Sequence, residues 1–544
     1  MRVWPFSDPI GVETLRHRLR GVTVAYLCLP LLVFVVGWLR APLAVCSVVA
    51  IGIVAVALVG VRGRSPAVDG GGMKVSLLSL VTGLVPVAAL VAASGVGGFG
   101  IRNWDWAKHD AVLKDLICDP WPVRYATEAG TTGLVYYLAY YLPASVVGKI
   151  AGWTAANLAT AAMSLLGAAL AVLWLVVLVR VSPVVGGLFF VFFSGMDVLG
   201  AALLALPSPD FAGIFSKYHL ENWSEYWQYS SNVSLLYFVP QQAIPGWLLV
   251  ALLVDAAETE RTDLPLAALA GVSLLWSPFV ALGLLPLLVA FLLTRPGSVK
   301  AALRAQRSLA NLAGAALAAL FAAYFASRFL PLALPQRYHP EGTPASRGEF
   351  WLVPAQLPVG PFLVHYSLFV LCEFALLWLV VLRAQRRDQR TPHMLPLLRA
   401  SGLVLLVLPF FHYGLFNDLV MRTSIPALFV LQIAALQVLR WGVRRAATVA
   451  IAGIVAVGAL YSGNLLRMHV WWMARSGHVV ALAPMRSVRS LFEMQLYDSA
   501  AMKREFVSQY LGAGDSFFFQ YLGRRSTPST VDVADPLAAT ARKH

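Results

Sequence analysis

The stretch 152–180, GWTAANLATAAMSLLGAALAVLWLVVLVR, is rich in Ala and Leu and carries no charge until Arg180 closes it. As a helix it rises roughly 43 Å at 1.5 Å per residue, enough to cross a hydrocarbon core of about 30 Å. Working outward, comparable apolar runs fall at 21–39, 42–61, 75–96, 183–206, 241–257, 264–275, 278–294, 309–330, 361–382, 395–411, 423–440 and 446–463. The pattern predicts an all-α polytopic membrane protein with about thirteen transmembrane or re-entrant helices. The runs 264–275 and 278–294 are short for two full crossings. The turn Trp276-Ser277-Pro278 therefore predicts a hairpin whose tip stays inside the bundle.

Composition agrees with this reading. Of 544 residues 59% are hydrophobic and 13% charged, and the mean hydropathy is +0.71. A soluble domain or a disordered scaffold needs far more polar surface, and no short repeat suggests a fibrous one. The net charge of +15 comes from 34 Arg and 8 Lys against 27 acids. The arginines sit mostly between apolar runs, where they read as topology signals and contacts to anionic lipid rather than to nucleic acid. Loops assigned to the cytoplasm collect 21 of the 42 basic residues but only 8 of the 27 acids. That asymmetry predicts a multi-pass protein of the plasma (inner) membrane with its N-terminus inside and its C-terminus outside. Arg16, Arg18 and Arg20 precede a run long enough to span, which reads as a retained first helix. Cys28, Cys46, Cys118 and Cys372 form no CxxC pair.

Three divisions follow: 1–74, a cytoplasmic N-terminus with two accessory helices; 75–463, a core with outer loops 97–150, 207–240 and 331–360; and 464–544, an outer tail. The tail reads as helix-like at 483–511, with Phe517, Phe518 and Phe519 packing back on the membrane face. It turns Pro-, Thr- and Ala-rich and disordered from about 526.

Function is sought in the outer loops. The first holds NWDWAKHDAVLKDL (103–116), where Asp105, Lys108 and His109 share one helical face. A carboxylate beside a histidine at the membrane surface has the composition of a general base and its partner, with Asp110 in reserve. An interfacial helix with a self-satisfied Asp–Lys pair and belt tryptophans is the alternative. Tyr136, Tyr137, Tyr140 and Tyr141 lie at helical spacing, and Tyr218, Trp223, Tyr226, Trp227 and Tyr229 stand among His219, Glu221 and Glu225. Flat rings near carboxylates suit sugars, so Trp104, Trp106, Tyr140, Trp223 and Glu225 are candidate sugar or acceptor contacts; an ordinary aromatic belt is the alternative.

In FHYGLFNDLVMRTSIP (411–426), Asp418 and Arg422 stand at i, i+4. An Arg near the bilayer needs either that ion pair or a lipid phosphate. Arg337 and His339 in the third loop, and Lys149, are further candidates for the phosphate. A divalent cation held by Asp105, His109 and Asp110 is the lesser expectation, because no DxD or HxxxH spacing supports it. No P-loop, Rossmann fingerprint, GxSxG or HExxH is present.

The chain resembles the GT-C superfamily of polytopic glycosyltransferases over about 75–463. The resemblance rests on an acid in the first outer loop (Asp105), the segment YYLAYYLPASVVGK (136–149), the long helix ending at Arg180, a short helical hairpin and an outer tail. It implies an inverting transfer of sugar from a polyprenyl-phosphate donor to a hydroxyl of a glycan, glycolipid or protein acceptor outside the membrane. It further implies that Asp105 is the base and Arg422 the phosphate contact. The chain departs from the family in its two extra N-terminal helices and in lacking an adjacent acidic pair, since Trp106 follows Asp105. A lipid or glycolipid flippase, and a lipid-linked glycan ligase or polymerase, are the alternatives.

Overall fold

The computed structural model describes residues 10–529 apart from 61–72, 128–129, 207–212, 215–218, 262, 295–298, 329–350, 356–357, 389, 414–416, 443, 478 and 498–508. The first helix, α1 (Val12–Trp38), ends where Leu39 and Arg40 turn extended, and Pro42 then starts α2 (Ala41–Val59). The two differ in surroundings: 61% of the apolar window of α1 is buried, against 22% for α2. Exposed valines such as Val45 and Val56 make α2 a lipid-facing helix, since a wet surface would not tolerate such a belt. The description of both N-terminal helices as accessory is therefore corrected for α1. Its Tyr26 stacks on Trp276, and its Thr23 accepts from Trp174, so it lies in the central core.

After α3 (Leu77–Ala93) the chain forms α4 (Trp106–Cys118) and then α5 (Leu142–Val179). Helix α5 starts ten residues before the expected 152, and a break at Gly152 (φ 84°) divides it. Glycine reaches that conformation without steric penalty, so hydropathy sees only the second part. The expected run 183–206 is likewise split into α6 (Pro183–Phe192) and α7 (Asp197–Leu204) by an extended segment at Phe193–Met196. A short α8 (Asn232–Phe238) leads into α9 (Pro240–Glu258), every residue of which is buried from Pro240 to Ala256.

Next come α10 (Leu266–Trp276) and α11 (Pro278–Leu293). The backbone at Ser277 is extended, and its hydroxyl caps Val280 N–H. The Trp276 indole donates to Leu27 O, halfway along α1, so the hairpin tip stops within the bundle. Helix α12 (Val299–Ala305) precedes α13 (Leu309–Ala326), which packs on α10 with Gly271 against Gly314. A Cβ on Gly271 would meet Gly314 O at 2.3 Å, so glycine permits this approach. The remaining helices are α14 (Val359–Gln385), with a π-helical turn at Leu371–Ala375, α15 (Met394–Val407), α16 (Asp418–Thr423), α17 (Ile425–Trp441), α18 (Arg445–Ser476) and α19 (Leu491–Tyr497). Each of the thirteen expected ranges overlaps helix. Among the described residues seven helices are long and apolar enough to cross a membrane, and five more apolar helices are shorter.

At one end of the bundle, called the basic end, Arg16 and Arg20 close on the C-terminal turns of α9. Arg20 contacts Asp255 at 2.8 Å and Arg16 contacts Glu258 at 2.8 Å, while Arg440 and Arg180 meet nearby. At the other, loop end, β1 (Arg124–Thr127), β2 (Gly130–Leu134) and β3 (Leu511–Ala513) form an antiparallel sheet in which Thr132 faces Ala513 and Leu134 faces Leu511. This corrects the tail. The boundary at 464 falls inside α18, and of the helix-like stretches expected over 483–511 the described residues carry the helix Leu491–Tyr497, with 498–508 outside the described residues and Leu511 opening strand β3. Phe518 and Phe519 are buried, with Phe518 against Tyr324, whereas Phe517 is exposed. Residues 526–529 also dock, through Ser526 on Pro122 O and Ser529 on Ala126 N–H, so the expected start of disorder is too early.

Asp255 is fully buried between two arginines, and removing one partner of such a cluster strands the other charges at about 3–5 kcal/mol. Asp255→Ala should therefore lower the melting temperature in detergent sharply. Val56→Ala, on the lipid-facing side, should barely change it.

Candidate functional site

The site is built from the loop end downward. The Asn103 side chain accepts Asp105 N–H at 2.9 Å and donates to Tyr237 O at 2.8 Å, which fixes the turn that opens α4. One turn on, the Lys108 ammonium bends back to the Asp105 carboxylate. Burial lowers the affinity of Lys108 for its proton, and Asp105 only partly restores it.

The second element is the bend before α17. Asn417, at φ 56°, accepts Tyr413 N–H at 3.3 Å and donates to Phe411 O at 3.2 Å, and this bend launches α16. On α16, Arg422 contacts Asp418 at 2.5 and 2.9 Å and donates to Gln242 Oε1, in the first turn of α9, at 3.3 Å.

These two elements meet in one buried polar cluster, here called the chamber, although Asp105 and Arg422 are far apart in the chain. Lys108 lies within the electrostatic reach of both Arg422 and Asp418. Tyr136 accepts from Gln241 at 3.3 Å and feels the charge of Arg422, and Tyr137 sits between Arg328, 3.5 Å away, and the Arg422–Asp418 pair. From the tail, Tyr510 lies against Tyr136 with ring centroids 4.1 Å apart and planes tilted by 38°, and senses Asp105. The first turns of α9, α11 and α17 meet just below, where Gly246 lies against Ile425 and Val280. Each has a proline in its first turn, where a missing N–H is harmless. Three buried side-chain atoms here have no hydrogen-bond partner among the described residues: the donors Gln242 Nε2 and Thr423 Oγ1 and the acceptor Gln241 Oε1. Lys108, Arg328 and Arg422 oppose Asp105 and Asp418, so the chamber has one excess positive charge. Among the described residues no carboxylate lies within ion-pair distance of Arg328. Unpaired donors, helix N-termini and excess positive charge together suit an anion.

Arg328, Gln242 and Tyr510 are absent from the sequence-based candidates, and Tyr137 entered only as one of a run of tyrosines. Arg328 had a visible signal: it ends an apolar run on the side where basic residues are sparse.

Other candidates lie elsewhere. His109 is buried, with Nε2 donating to Phe238 O at 3.1 Å and Nδ1 accepting from the Tyr141 hydroxyl. Both ring nitrogens are occupied, so it does not partner Asp105 as a base. Asp110 is locked in a two-pronged pair with Arg102, one contact at 2.6 Å, and does not face the chamber as a reserve base. Lys149 caps carbonyls at the far end of α4, on Ile117 O and Asp119 O, well away from Arg422. Trp106 donates to Ser94 O beneath Arg102, Tyr140 bonds Ser164 at 2.7 Å, and Trp223 donates to Glu373 at 2.7 Å. These three are interior fixtures and not sugar platforms. Trp104 and Glu225 are exposed. Arg337, His339 and Tyr218 lie outside the described residues. Among the described residues no group of three His, Cys, Asp or Glu side chains could hold a metal ion, so Asp105, His109 and Asp110 form no cation site.

A second polar cluster lies deeper. Asp197, Glu221 and Glu373 are all buried. Asp197 accepts from Ser194 at 3.0 Å, and Glu221 accepts from Ser231 N–H at 2.7 Å and Gln228 at 2.8 Å. Glu373 occupies the π-helical turn, a distortion frequent at functional sites.

Burial pushes the His109 imidazole down from 6.5 to about 4. Between those values the unfolded chain binds a proton that the folded chain refuses, so stability falls as pH drops through that window. His109→Gln should flatten the decline of melting temperature between pH 6.5 and 4.5.

No protein-family model, no curated protein and no solved structure matches this chain.

Proposed function

We propose that the chain is a membrane glycosyltransferase that moves a sugar from a polyprenyl-phosphate donor to a hydroxyl on a glycan, glycolipid or protein. The observation that carries this reading is the chamber itself. It sets a carboxylate, Asp105, near an anion-suited group of Arg422, Arg328 and free donors at the loop end of a lipid-embedded bundle. By the positive-inside rule the basic end faces the cytoplasm, which sets the chamber toward the outer side of the plasma membrane. On this reading about thirteen helices span or re-enter the bilayer.

The chemistry balances without a cofactor. Asp105 takes the proton of the acceptor hydroxyl as its oxygen attacks the anomeric carbon from the face opposite the phosphate. The bond from that carbon to the phosphate oxygen breaks, and its electron pair leaves on the polyprenyl phosphate. Arg422 and Arg328 stabilise the charge that develops there. Inversion at the anomeric carbon follows from the single displacement.

A transport reading draws on the buried carboxyls Asp197, Glu221 and Glu373, because ionisable groups at membrane depth mark pathways in carriers. Asp255, another buried carboxyl, belongs instead to the ion cluster with Arg16 and Arg20.

Purified protein in nanodiscs, supplied with a panel of polyprenyl-phosphate monosaccharides with and without EDTA, should release sugar to acceptor from one donor. Asp105→Asn should lose about 100-fold or more of that turnover while still binding donor, the scale on which a general base acts. Arg422→Gln should instead weaken donor binding. Full turnover in Asp105→Asn would remove the base, and movement of lipid-linked glycan without transfer, lost in Glu373→Gln, would favour the carrier.

A further inference from the structure

A second basic feature lies at the far end of α4, away from the chamber. A cleft of about 400 Å³ opens there, lined among others by Lys149, Arg524, Arg525, Trp121, Ser526 and Thr527. Its floor includes Gly37, in the last turn of α1. Because α1 ends at Trp38 and α2 begins at Ala41, the cleft lies at the level where the apolar spans give way to water.

The wall that carries Arg524 and Arg525 is held in place. Arg524 N–H donates to Trp38 O at 2.8 Å, and Ser526 donates to Pro122 O at 2.5 Å. Arg40, in the turn between α1 and α2, donates to Gly523 O at 3.2 Å and also to Gln520 O. The guanidinium groups themselves remain at the surface. Arg524 and Arg525 are exposed, and among the described residues neither has a carboxylate within ion-pair distance. Across the cleft, Lys149 lies 5.1 Å over the Trp121 ring. The carboxylate that acts on Lys149 is Asp119, which is itself bonded to Ser529. Three cations thus face one engaged carboxylate.

Beside the cations the same segment exposes two large rings. Phe517 is 62% and Tyr521 58% exposed, and they lie against each other at a centroid distance of 5.4 Å. Exposed rings next to free arginines at the boundary level form a surface with an apolar side for acyl chains and a cationic side for head groups.

We infer that this cleft binds the head group of an anionic phospholipid, with the phosphodiester between Arg524, Arg525 and Lys149 and head-group hydroxyls on Ser526 and Thr527. Guanidinium groups match phosphate oxygens in pairs, and a rigid wall lowers the entropy lost on binding. The tail then anchors the loop end of the bundle to the lipid surface. Lys149 holds a membrane lipid here and not the sugar donor, so this site does not depend on the transfer reaction.

The test uses the full chain in a neutral detergent, with phosphatidylglycerol, phosphatidylcholine or inorganic phosphate added. Native mass spectrometry counts bound lipid, and thermal unfolding reports its effect. The wild type should retain phosphatidylglycerol at least tenfold more tightly than phosphatidylcholine and melt higher in its presence. Arg524→Gln with Arg525→Gln should erase both differences while leaving the lipid-free melting temperature unchanged. Thr527→Asp, which puts a negative charge into the cleft at an exposed position, should do the same and serves if the double variant melts low. Equal phosphatidylglycerol retention in both variants overturns the site. Inorganic phosphate displacing the lipid at low millimolar concentration overturns the lipid as its occupant.

Discussion

Helix α9 has no side that faces water or lipid, and this constraint organises the molecule. A helix buried all round tolerates polar side chains only at its ends, where partners can be supplied. Its N-terminal turn carries Gln241 and Gln242 to the chamber, and its C-terminal turns carry Asp255 and Glu258 to Arg16 and Arg20. From Gln242 to Asp255 the axial distance is roughly 20 Å, less than the thickness of about 30 Å expected for hydrocarbon. On the proposed membrane placement, with the Asp255 cluster at one boundary, the Arg422 pair would lie about 10 Å below the other. Charges at that depth persist only in a recess lined by partners, which is what Asp418, Gln242, Tyr136 and Tyr137 provide.

Hydropathy located the helices because lipid demands long runs that satisfy their own backbone hydrogen bonds. It failed wherever the chain interrupts a run without changing its polarity. Gly152 and Phe193–Met196 are such places, since neither brings a charge that would flag the break. The strand Leu511–Ala513 was equally hidden. Three residues show no alternation, and their pairing with Thr132 to Leu134 depends on a partner nearly 380 positions away.

The candidate site divides along the same line. Asp105 and Arg422 stood out because charges at the edges of apolar runs need an explanation. Helical spacing told correctly that Asp105 and Lys108 could meet, but it could not tell that His109 turns toward Phe238 O and Tyr141, or that Arg102 reaches Asp110. Those partners lie in other elements, where spacing along one helix carries no information. The same limit hid Arg328, whose place is set by how the end of α13 meets the segment at Tyr137.

The charge balance of the chamber bears on the transfer reading. Lys108, Arg328 and Arg422 against Asp105 and Asp418 leave one positive charge, which a donor phosphodiester with one negative charge would neutralise. When the acceptor proton passes to Asp105, the chamber gains a second positive charge. At the same moment the phosphate becomes a monoester with about −1.5 to −2 charge at neutral pH. Protein and leaving group therefore change charge together, and the recess stays near neutral from bound donor to departing phosphate. A fixed arrangement that matches the charge at both ends of a reaction needs little rearrangement in between, which is how a low-dielectric site stabilises developing charge. Without Arg328 the chamber would be neutral when empty, and the bound donor would leave an uncompensated negative charge in a buried site. Arg328 is thus the group on which that balance turns.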